Sequence, residues 1–352
     1  MDFRAILKDA VEQKASDVFI VTGIPVTFKV NGVIQHQGDK KLQKDDAEAL
    51  LTEAYNEAGR DMTKFKTTGD DDFSISIKGL SRFRMSAYKS RGSLSAVIRL
   101  IAFDIPEASE MSIPDEVMSV VKKTKGLVLV TGPAGGGKST TLACVIDEIN
   151  KTRNNHIITL EDPIEFIHKN NKSIISQREI HADTEDYVTA LRASLRQSPD
   201  VILVGEMRDF ETIRTAMTAA ETGHLIISTL HSVGAANTID RIIDAFPPNQ
   251  QQQIRVQLSQ LLQTVISQQL IPTVSGKLVP AFEIMNCNGA IRNMIRESKI
   301  HQIDNAINSF GDEGMISMDN YLIKLCKNGI ITAETAVKYS INPESVERKL
   351  NS

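Results

Sequence analysis

The stretch GLVLVTGPAGGGKSTTLACVIDEIN, residues 126–150, decides the fold of this protein. It begins with a short apolar run typical of a strand buried on both faces, passes through a glycine-rich turn, and continues in a pattern typical of a helix. Three further apolar runs are HIITLED (156–162), DVILVGE (200–206) and HLIISTLH (224–231), and helical segments follow the last two. Strands that alternate with helices form a parallel sheet covered by helices, so we predict an α/β fold here.

The glycine-rich turn matches the pattern G-x-x-x-x-G-K-[ST]. Its residues, all predicted to bind a nucleotide, are Gly132, Pro133, Ala134, Gly135, Gly136, Gly137, Lys138, Ser139 and Thr140. Glycines allow successive backbone N–H groups to point at phosphate oxygens, Lys138 would neutralise the β- and γ-phosphates, and Ser139 would be a ligand of Mg²⁺. The strand–loop–helix context argues against a glycine-rich turn that binds nothing. We therefore expect a nucleoside triphosphate with Mg²⁺.

Two carboxylates and a histidine stand where the other apolar runs end: Glu161, Glu206 and His231. Because ligands bind at the carboxyl edge of parallel sheets, we expect these side chains to lie near Gly132. Hydrolysis of a β–γ phosphate bond needs one carboxylate that positions water and another that holds the metal, directly or through water. Glu161 and Glu206 could each take either role, although Glu206 is the candidate Mg²⁺ ligand. The alternative for each is a strand-end carboxylate that caps the next helix.

The two histidines of the fourth run cannot share one metal ion. His224 and His231 are seven residues apart, which is about 23 Å along a strand, and an odd spacing places them on opposite faces. His231 stands at the ligand edge and is predicted to sense the γ-phosphate. For His224 a structural role is at least as good an interpretation.

Composition and charge narrow the possible functions of this 352-residue chain. With 41% hydrophobic and 24% charged residues, it has the composition of a globular protein and not of a disordered or fibrous one. The net charge of -4, the lack of tryptophan and the aromatic content of 5% argue against a nucleic-acid-binding surface. We therefore expect no nucleic-acid partner.

The cysteines and the N-terminal residues indicate a cytoplasmic protein. The three cysteines, at positions 144, 287 and 326, are too widely spaced for a disulfide framework or a CxxC metal clip, which fits a reducing compartment. The first residues, MDFRAILKDAVEQK, lack the apolar core of a signal peptide. The uncharged stretch 256–275 contains several glutamines and a proline, so we predict a buried or interfacial helix there and no transmembrane segment.

The chain is expected to contain two domains. Residues 1–102 alternate strand-like runs with a helical pattern at 42–55 and predict a small α+β domain. Residues 103–117 are rich in proline, serine and acidic residues and are interpreted as a linker. Residues 118–352 would form the nucleotide-binding domain, with a mostly helical part from about residue 259.

Arginines of the small domain are candidate catalytic residues. Arg84 and Arg99 occur in the apolar runs FRMSAY and VIRLI, where a guanidinium needs a partner. A phosphate would serve, in the manner of an arginine finger. The alternative is pairing with local carboxylates such as Asp71 or Asp72.

Several further motifs occur together with the glycine-rich loop: LEDPIEF (160–166), QREIHADT (177–184), the segment 194–232, TIDRIIDAFP (238–247) and AIRNMIRE (290–297). Over nearly its whole length the chain therefore resembles the type IV pilus twitching-motility ATPases, and among them the retraction ATPases. The resemblance implies a RecA-like P-loop ATPase domain with a mainly parallel sheet, a smaller N-terminal PAS-like α+β domain and a helical C-terminal tail.

The resemblance also implies an activity and partners. ATP hydrolysis with Mg²⁺ would drive pilin disassembly by a cytoplasmic homohexamer, which associates peripherally with the inner face of the cytoplasmic membrane through an inner-membrane pilus platform protein. By the same resemblance Glu161 is the general base, residues 222–231 form a histidine box that includes His224 and His231, Arg84 and Arg99 are the catalytic arginines, and AIRNMIRE is the motif associated with retraction.

The sequence is also compatible with other functions. An assembly or type II secretion ATPase belongs to the same superfamily, and the segments GIPVTFKVNG (23–32) and QQLIP (268–272) resemble the accessory retraction paralogue. The loop reads Ala134-Gly135-Gly136 where relatives commonly have Thr-Gly-Ser. From other classes, a small-molecule kinase, a nucleic-acid motor and a non-hydrolysing nucleotide-gated scaffold are alternatives.

Overall fold

A computed structural model describes residues 2–101 and 105–351 of the chain. The chain divides into two compact units, Met1–Asp104 with Glu165–Ile167, and Ile105–Ile164 with His168–Ser352. The end of the predicted first domain and the start of the predicted linker, residues 102–104, lie outside the described residues. Each unit is described by itself.

The first unit is an antiparallel sheet with three helices. Its six strands are β1 (Ala15–Ile20), β2 (Thr27–Val30), β3 (Val33–His36), β4 (Asp70–Ile77), β5 (Ser81–Ser90) and β6 (Ser93–Ile101), in the order β3-β2-β1-β6-β5-β4. Its helices are α1 (Phe3–Glu12), α2 (Lys44–Glu57) and α3 (Thr63–Thr68). The α+β architecture predicted for this part of the chain is confirmed.

Alternating burial along β5 shows why these residues form a strand with one face in the core. Phe83, Met85 and Ala87 are buried, while the residues between them are half-buried. β5 and β6 are joined by a two-residue turn, Arg91-Gly92, in which both residues have positive φ. Such turns match the right-handed twist of a hairpin, so the predicted stretch 83–101 folds as a strand pair.

The second unit contains a seven-stranded sheet. Its strands are β7 (Gly126–Thr131), β8 (His156–Glu161), β9 (Ile174–Glu179), β10 (Val201–Val204), β11 (Leu225–Leu230), β12 (Leu262–Pro272) and β13 (Leu278–Asn286). The order is β13-β12-β7-β11-β10-β8-β9, and all neighbours are parallel except β12 and β13. The four runs that we predicted as strands are thus neighbours, and the mainly parallel α/β fold is confirmed.

Helices cover both faces of this sheet. They are α4 (Asp115–Met118), α5 (Lys138–Thr152), α6 (Tyr187–Ser194), α7 (Phe210–Glu221), α8 (Ala235–Asp244), α9 (Pro248–Leu261), α10 (Gly289–Arg296), α11 (Ile303–Ser309), α12 (Met318–Lys327), α13 (Ala333–Tyr339) and α14 (Pro343–Asn351). Val128 and Val130 of β7 pack with α5, while Leu127 and Leu129 pack with α7, α8 and α9. β7 is therefore buried on both faces, as its continuous apolar sequence predicts.

The segment 105–117, which we interpreted as linker, belongs to the second unit. Ile113 and Val117 are buried in the same core as Val128 and Ile146. These two apolar residues hold the segment against the sheet. They do not stand out in the sequence because the residues around them are mostly proline, serine and acidic residues. The structure therefore corrects the predicted linker over its described part.

Two strands interrupt the C-terminal region that we predicted to be helical from about residue 259. The predicted helix 256–275 is the end of α9 followed by β12, and β13 follows before the helices begin at Gly289. β12 lies between β7 and β13, and a strand covered on both faces has no alternating pattern to distinguish it from a buried helix. The helical character predicted for the C-terminal tail itself is confirmed. No helix in the described ranges is both long enough and apolar enough to cross a membrane.

A half-buried histidine predicts a dependence of stability on pH. His168 lies between β8 and β9, its Nδ1 has no hydrogen-bond partner among the described residues, and burial lowers its pKa from 6.5 to about 4. Below pH 6.5 the unfolded chain therefore binds a proton that the folded chain does not, so the free energy of unfolding falls as pH drops from 6.5 to about 4.

We expect this histidine to remove about 2 kcal/mol between pH 7 and pH 4.5, after allowing for partial exposure of the ring. Urea unfolding at the two pH values, for wild type and His168→Leu, measures the effect. The drop should be smaller in the variant by that amount. An equal drop in both proteins would contradict the assignment.

Candidate active site

Four strand ends bring the predicted site residues to one edge of the second unit's sheet. Gly132 follows β7, His231 follows β11, Glu206 comes two residues after β10, and Glu161 ends β8. These strands are consecutive in the sheet and parallel, with Thr131 paired to Leu230 and Val204 paired to Leu160. The structure thus places all four residues at the carboxyl edge, as predicted from the sequence.

The glycine-rich loop wraps around its own lysine. Lys138 is the first residue of α5 and only 8% exposed, and its Nζ donates hydrogen bonds to the carbonyl oxygens of Gly132 at 2.9 Å and Pro133 at 2.8 Å. Gly137, just before α5, has a φ of 82°, which favours glycine. The ammonium group therefore lies inside the loop, at the positive N-terminus of a helix.

Strand β12 lies so close to this loop that a side chain at position 132 would overlap its backbone. A Cβ on Gly132 would lie 2.0 Å from the carbonyl oxygen of Gln268, and a Cβ on Gly137 would lie 2.8 Å from the Nε2 of Gln268. The Gln268 side chain is buried and its Oε1 accepts a hydrogen bond from Thr141 Oγ1 at 2.7 Å. Sequence reasoning missed Gln268; a glutamine inside an apolar run was the available signal.

Glu206 is the charge-paired carboxylate of the site. Its Oε1 lies 3.2 Å from His231 Nε2 and is also bound by the Nε of Arg208. The hydrogen bond and the charge of Glu206 raise the pKa of Arg208. The contact between Glu206 and His231 ties the end of β10 to the end of β11.

Glu161 accepts hydrogen bonds from the side chains of Thr159 and Gln177. Its Oε1 lies 2.5 Å from Thr159 Oγ1 and 3.2 Å from Gln177 Nε2. Thr159 is two residues earlier on β8 and pairs with Gln177 of β9 in the parallel register, so all three side chains share one face. Gln177 Oε1 in turn accepts from the backbone N–H of His168 at 2.8 Å. These bonds orient the Glu161 carboxyl group.

A tyrosine that the sequence analysis did not single out lies among the carboxylates. Burial, and then the negative charges of Asp162, Glu206 and Glu161, raise the pKa of Tyr187. A Cβ on Gly205 would lie 2.9 Å from the Tyr187 hydroxyl oxygen and 3.1 Å from the carbonyl oxygen of Leu160. Glycine therefore occupies the position where many P-loop enzymes carry an aspartate, because the tyrosine and β8 leave no room there.

The structure does not bring His224 to this edge. His224 precedes β11 at its amino end, opposite His231, and its Nδ1 lies 3.0 Å from Thr222 Oγ1 and 3.0 Å from the carbonyl oxygen of Ala219. These contacts are made at the C-terminal end of α7. They support the structural interpretation of this histidine.

The candidate arginines belong to the first unit. Arg99 is exposed on β6 and its Nε lies 3.0 Å from Asp17 Oδ1. Arg84 pairs across the strands with Arg99 and has no side-chain hydrogen bond or ion pair within the described part of the chain. The expected local partners Asp71 and Asp72 do not bind either arginine in that part; Asp71 instead binds Tyr55 and Arg60. The catalytic role of Arg84 and Arg99 stays a prediction.

Helix α10 carries the AIRNMIRE motif, whose apolar residues Ile291 and Ile295 are buried. Arg292 donates hydrogen bonds of 2.7 Å to the carbonyl oxygens of Ser259 and Gln260. The guanidinium caps the C-terminal end of α9, where unpaired carbonyls carry partial negative charge.

A cavity of about 200 Å³ opens beside the glycine-rich loop. Its apolar lining is formed by Met111, Ile113, Leu270, Leu278 and Pro280, and Thr140 stands where the cavity meets α5. A flat aromatic ring attached to a phosphate chain fits such a lining. The cavity extends the site beyond the phosphate loop.

The donor set also fits a hard cation. Ser139 is in the first turn of α5, and its hydroxyl group has no hydrogen-bond partner among the described residues. A serine hydroxyl and the Glu206 carboxylate are the oxygen donors that Mg²⁺ prefers, with phosphates and waters as its remaining ligands. Ser139 and Glu206 are therefore the residues that would hold the ion.

The packing around Gly205 predicts that alanine is less well tolerated there than at Gly289. Gly205→Ala should lower the free energy of unfolding by about 1–3 kcal/mol, because the new methyl group overlaps Tyr187 and β8. Adding Tyr187→Phe should recover part of the loss, since it removes one of the two overlapping oxygens. Gly289→Ala is the matched control, with nothing within 4 Å of the added Cβ. Equal denaturant unfolding of Gly205→Ala and wild type would refute the packing argument.

Comparison with known proteins agrees with this geometry. Residues 2–306 match the family model described as type II/IV secretion system protein. The type IV pilus retraction ATPase PilT of Pseudomonas aeruginosa is 43% identical over 346 residues, which cover 98% of this chain and 100% of that protein. The type IV pilus ATPase PilU of the same organism is 36% identical, over 97% of this chain and 89% of that protein.

A solved structure shows the same architecture. The crystal structure of the pilus retraction motor PilT with bound ADP superposes with a TM-score of 0.90 and 43% identity, and the match covers 99% of each chain. The similarity to PilT in sequence and in structure extends over nearly the whole chain. The chain therefore belongs to the type II/IV secretion system protein family, and within it to the pilus retraction ATPases of the PilT type.

Proposed function

We propose that this chain is the subunit of a homohexameric motor that hydrolyses ATP in the cytoplasm and uses the energy to retract type IV pili. The observation that carries the proposal is the sheet edge that Lys138, Glu161, Glu206 and His231 share, in a chain 43% identical to PilT over 98% of its length. A pilus platform protein of the inner membrane is the proposed partner, which would hold the hexamer peripherally at the inner face of that membrane.

The phosphate-binding loop would hold the triphosphate. Its backbone N–H groups face the β- and γ-phosphate oxygens, and Lys138 exchanges its bonds with the loop carbonyls for bonds with those oxygens. Ser139 and Glu206 would hold Mg²⁺, which supplies charge neutralisation at the transferred phosphate. The base of the nucleotide would lie in the cavity beside Thr140.

The hydrogen bonds of the two glutamates support different roles for them. Glu206 Oε1 contacts both Arg208 and His231, which holds Glu206 between the ends of β10 and β11. The hydrogen bonds from Thr159 and Gln177 fix the direction of the Glu161 carboxyl group, and the family resemblance gives this residue the role of the base. We therefore assign Glu161 the role of the general base that accepts the proton of the attacking water. Glu206 would position the metal. Its contact with His231 would make the loop after β11 respond to the presence of the γ-phosphate.

The accessory retraction paralogue is the second candidate. The segments 23–32 and 268–272 favour it, and PilU is 36% identical over most of the chain. The higher identity to PilT over a greater share of both chains favours the principal retraction ATPase.

Substitution of the charge-paired glutamate tests the site. Glu206→Gln should still bind ATP but hydrolyse it at least about tenfold more slowly, because the amide holds neither the metal nor His231 as the carboxylate does. Steady-state phosphate release and titration with a fluorescent ATP analogue measure the two effects. Glu221→Gln, an exposed carboxylate at the end of α7, should hydrolyse ATP as wild type does. Hydrolysis by Glu206→Gln at the wild-type rate would remove Glu206 from the site.

Deletion of the gene tests the cellular function. Cells that lack it should carry excess surface pili and fail to twitch, because pili are assembled but not retracted. Complementation with wild type should restore twitching, while Lys138→Ala should not. Bald cells would select an assembly ATPase. Cells that still retract pili, with reduced force, would select the accessory paralogue.

A further inference from the structure

We propose that Glu283 is a positioning residue that holds the loop carrying His231 and joins that loop to the start of α12. The inference rests on the proposed function, because it gives His231 the task of sensing the nucleotide. Its consequence is that one buried carboxylate transmits a change at the nucleotide site to the C-terminal helices.

The carboxylate of Glu283 bridges the N-termini of two helices. Glu283 lies on β13 and is only 2% exposed. Its Oε1 accepts a hydrogen bond of 2.7 Å from the N–H of Ala235, and its Oε2 accepts one of 3.4 Å from the N–H of Met318. Ala235 and Met318 are the first residues of α8 and α12, both ten residues long. Two helix dipoles therefore point their positive ends at one carboxylate.

Among the residues that the structure describes, the buried carboxyl group of Glu283 has no ion pair with a lysine, arginine or histidine. Burial raises its pKa, the hydrogen bonds from Ala235 and Met318 lower it, and the charges of Asp304 and Asp319 raise it further. A carboxyl group in so apolar a place is costly unless its hydrogen bonds are made, so its two helix contacts are held together.

The loop between His231 and Ala235 is short and fixed at its far end. The N–H of Gly234 donates to Ser267 Oγ of β12 at 2.9 Å, next to the bond from Ala235 to Glu283. At the near end His231 Nε2 lies 3.2 Å from Glu206. Only three residues separate His231 from the start of α8. A displacement of His231 would therefore change the hydrogen bond from the Ala235 N–H to Glu283.

The second oxygen of Glu283, Oε2, connects it to the C-terminal helices through Met318, the first residue of α12. Ile284, the neighbour of Glu283, makes two backbone hydrogen bonds of 2.8 and 3.1 Å with Ile316, just before α12. Met318 is buried in a core formed by β12, β13, α12, α13 and α14. The start of α12 is thus attached to β13 and, through Glu283, to the loop of the nucleotide site.

Hydrogen–deuterium exchange of the full-length protein tests this coupling. In wild type, ATPγS with Mg²⁺ should slow exchange in residues 231–238 and also in residues 317–322. In Glu283→Gln the slowing at 317–322 should fall by at least about threefold, because an amide can accept from one helix only and presents N–H to the other. The difference between bound and free protein is the readout, since a merely structural substitution changes both states alike.

Ser267→Ala is the matched control, because it removes the contact with Gly234 and leaves both bonds of Glu283. In this variant the response at 317–322 should persist. A full response in Glu283→Gln would overturn the proposal. So would a wild-type protein in which residues 231–238 respond and residues 317–322 do not, and this measurement does not depend on the folding of any variant. Failure of ATPγS to protect residues 132–140 of wild type would instead reject the proposed function.

Discussion

The parallel alignment of β7, β11, β10 and β8 is the constraint on which the candidate site depends. Because the four strands run in one direction, their carboxyl ends reach one edge of the sheet, and residues separated by up to a hundred positions in the chain become neighbours there. The backbone of β12 then presses against the loop after β7, where only glycine leaves enough room at Gly132. The site therefore depends on both the direction and the order of these strands.

Glu161 and Glu206, the two carboxylates at this edge, differ in their hydrogen-bond partners, which is consistent with different roles in hydrolysis. Glu206 contacts Arg208 and His231, and Glu161 accepts hydrogen bonds from the Thr159 hydroxyl and the Gln177 amide. Hydrogen bonds from side chains on neighbouring strands fix the direction of a carboxyl group. The same logic applies to Glu283, whose donors are the first N–H groups of two helices. Each carboxylate thus has a different environment on a common sheet.

The sequence predicted the architecture of the second unit best where its pattern is least ambiguous. Short apolar runs between helices identified four central strands, and the ends of those runs marked Glu161, Glu206 and His231. It failed at β12, where glutamines within an apolar segment suggested a helix, and at residues 105–117, where two buried residues hide in a linker-like composition. Apolar periodicity reports burial; it does not report which neighbour covers the segment.

By itself the sequence determined the local chemistry: the phosphate loop, the helix that starts at Lys138 and the carboxylates at strand ends all follow from residue type and spacing. The tertiary structure alone decided which of these groups meet, and it separated His224 from His231 by the length of β11. It also decided the supporting contacts, such as Gln177 with Glu161 and Gln268 with Thr141. Such contacts join distant segments, and no local pattern encodes a partner that folding brings into place.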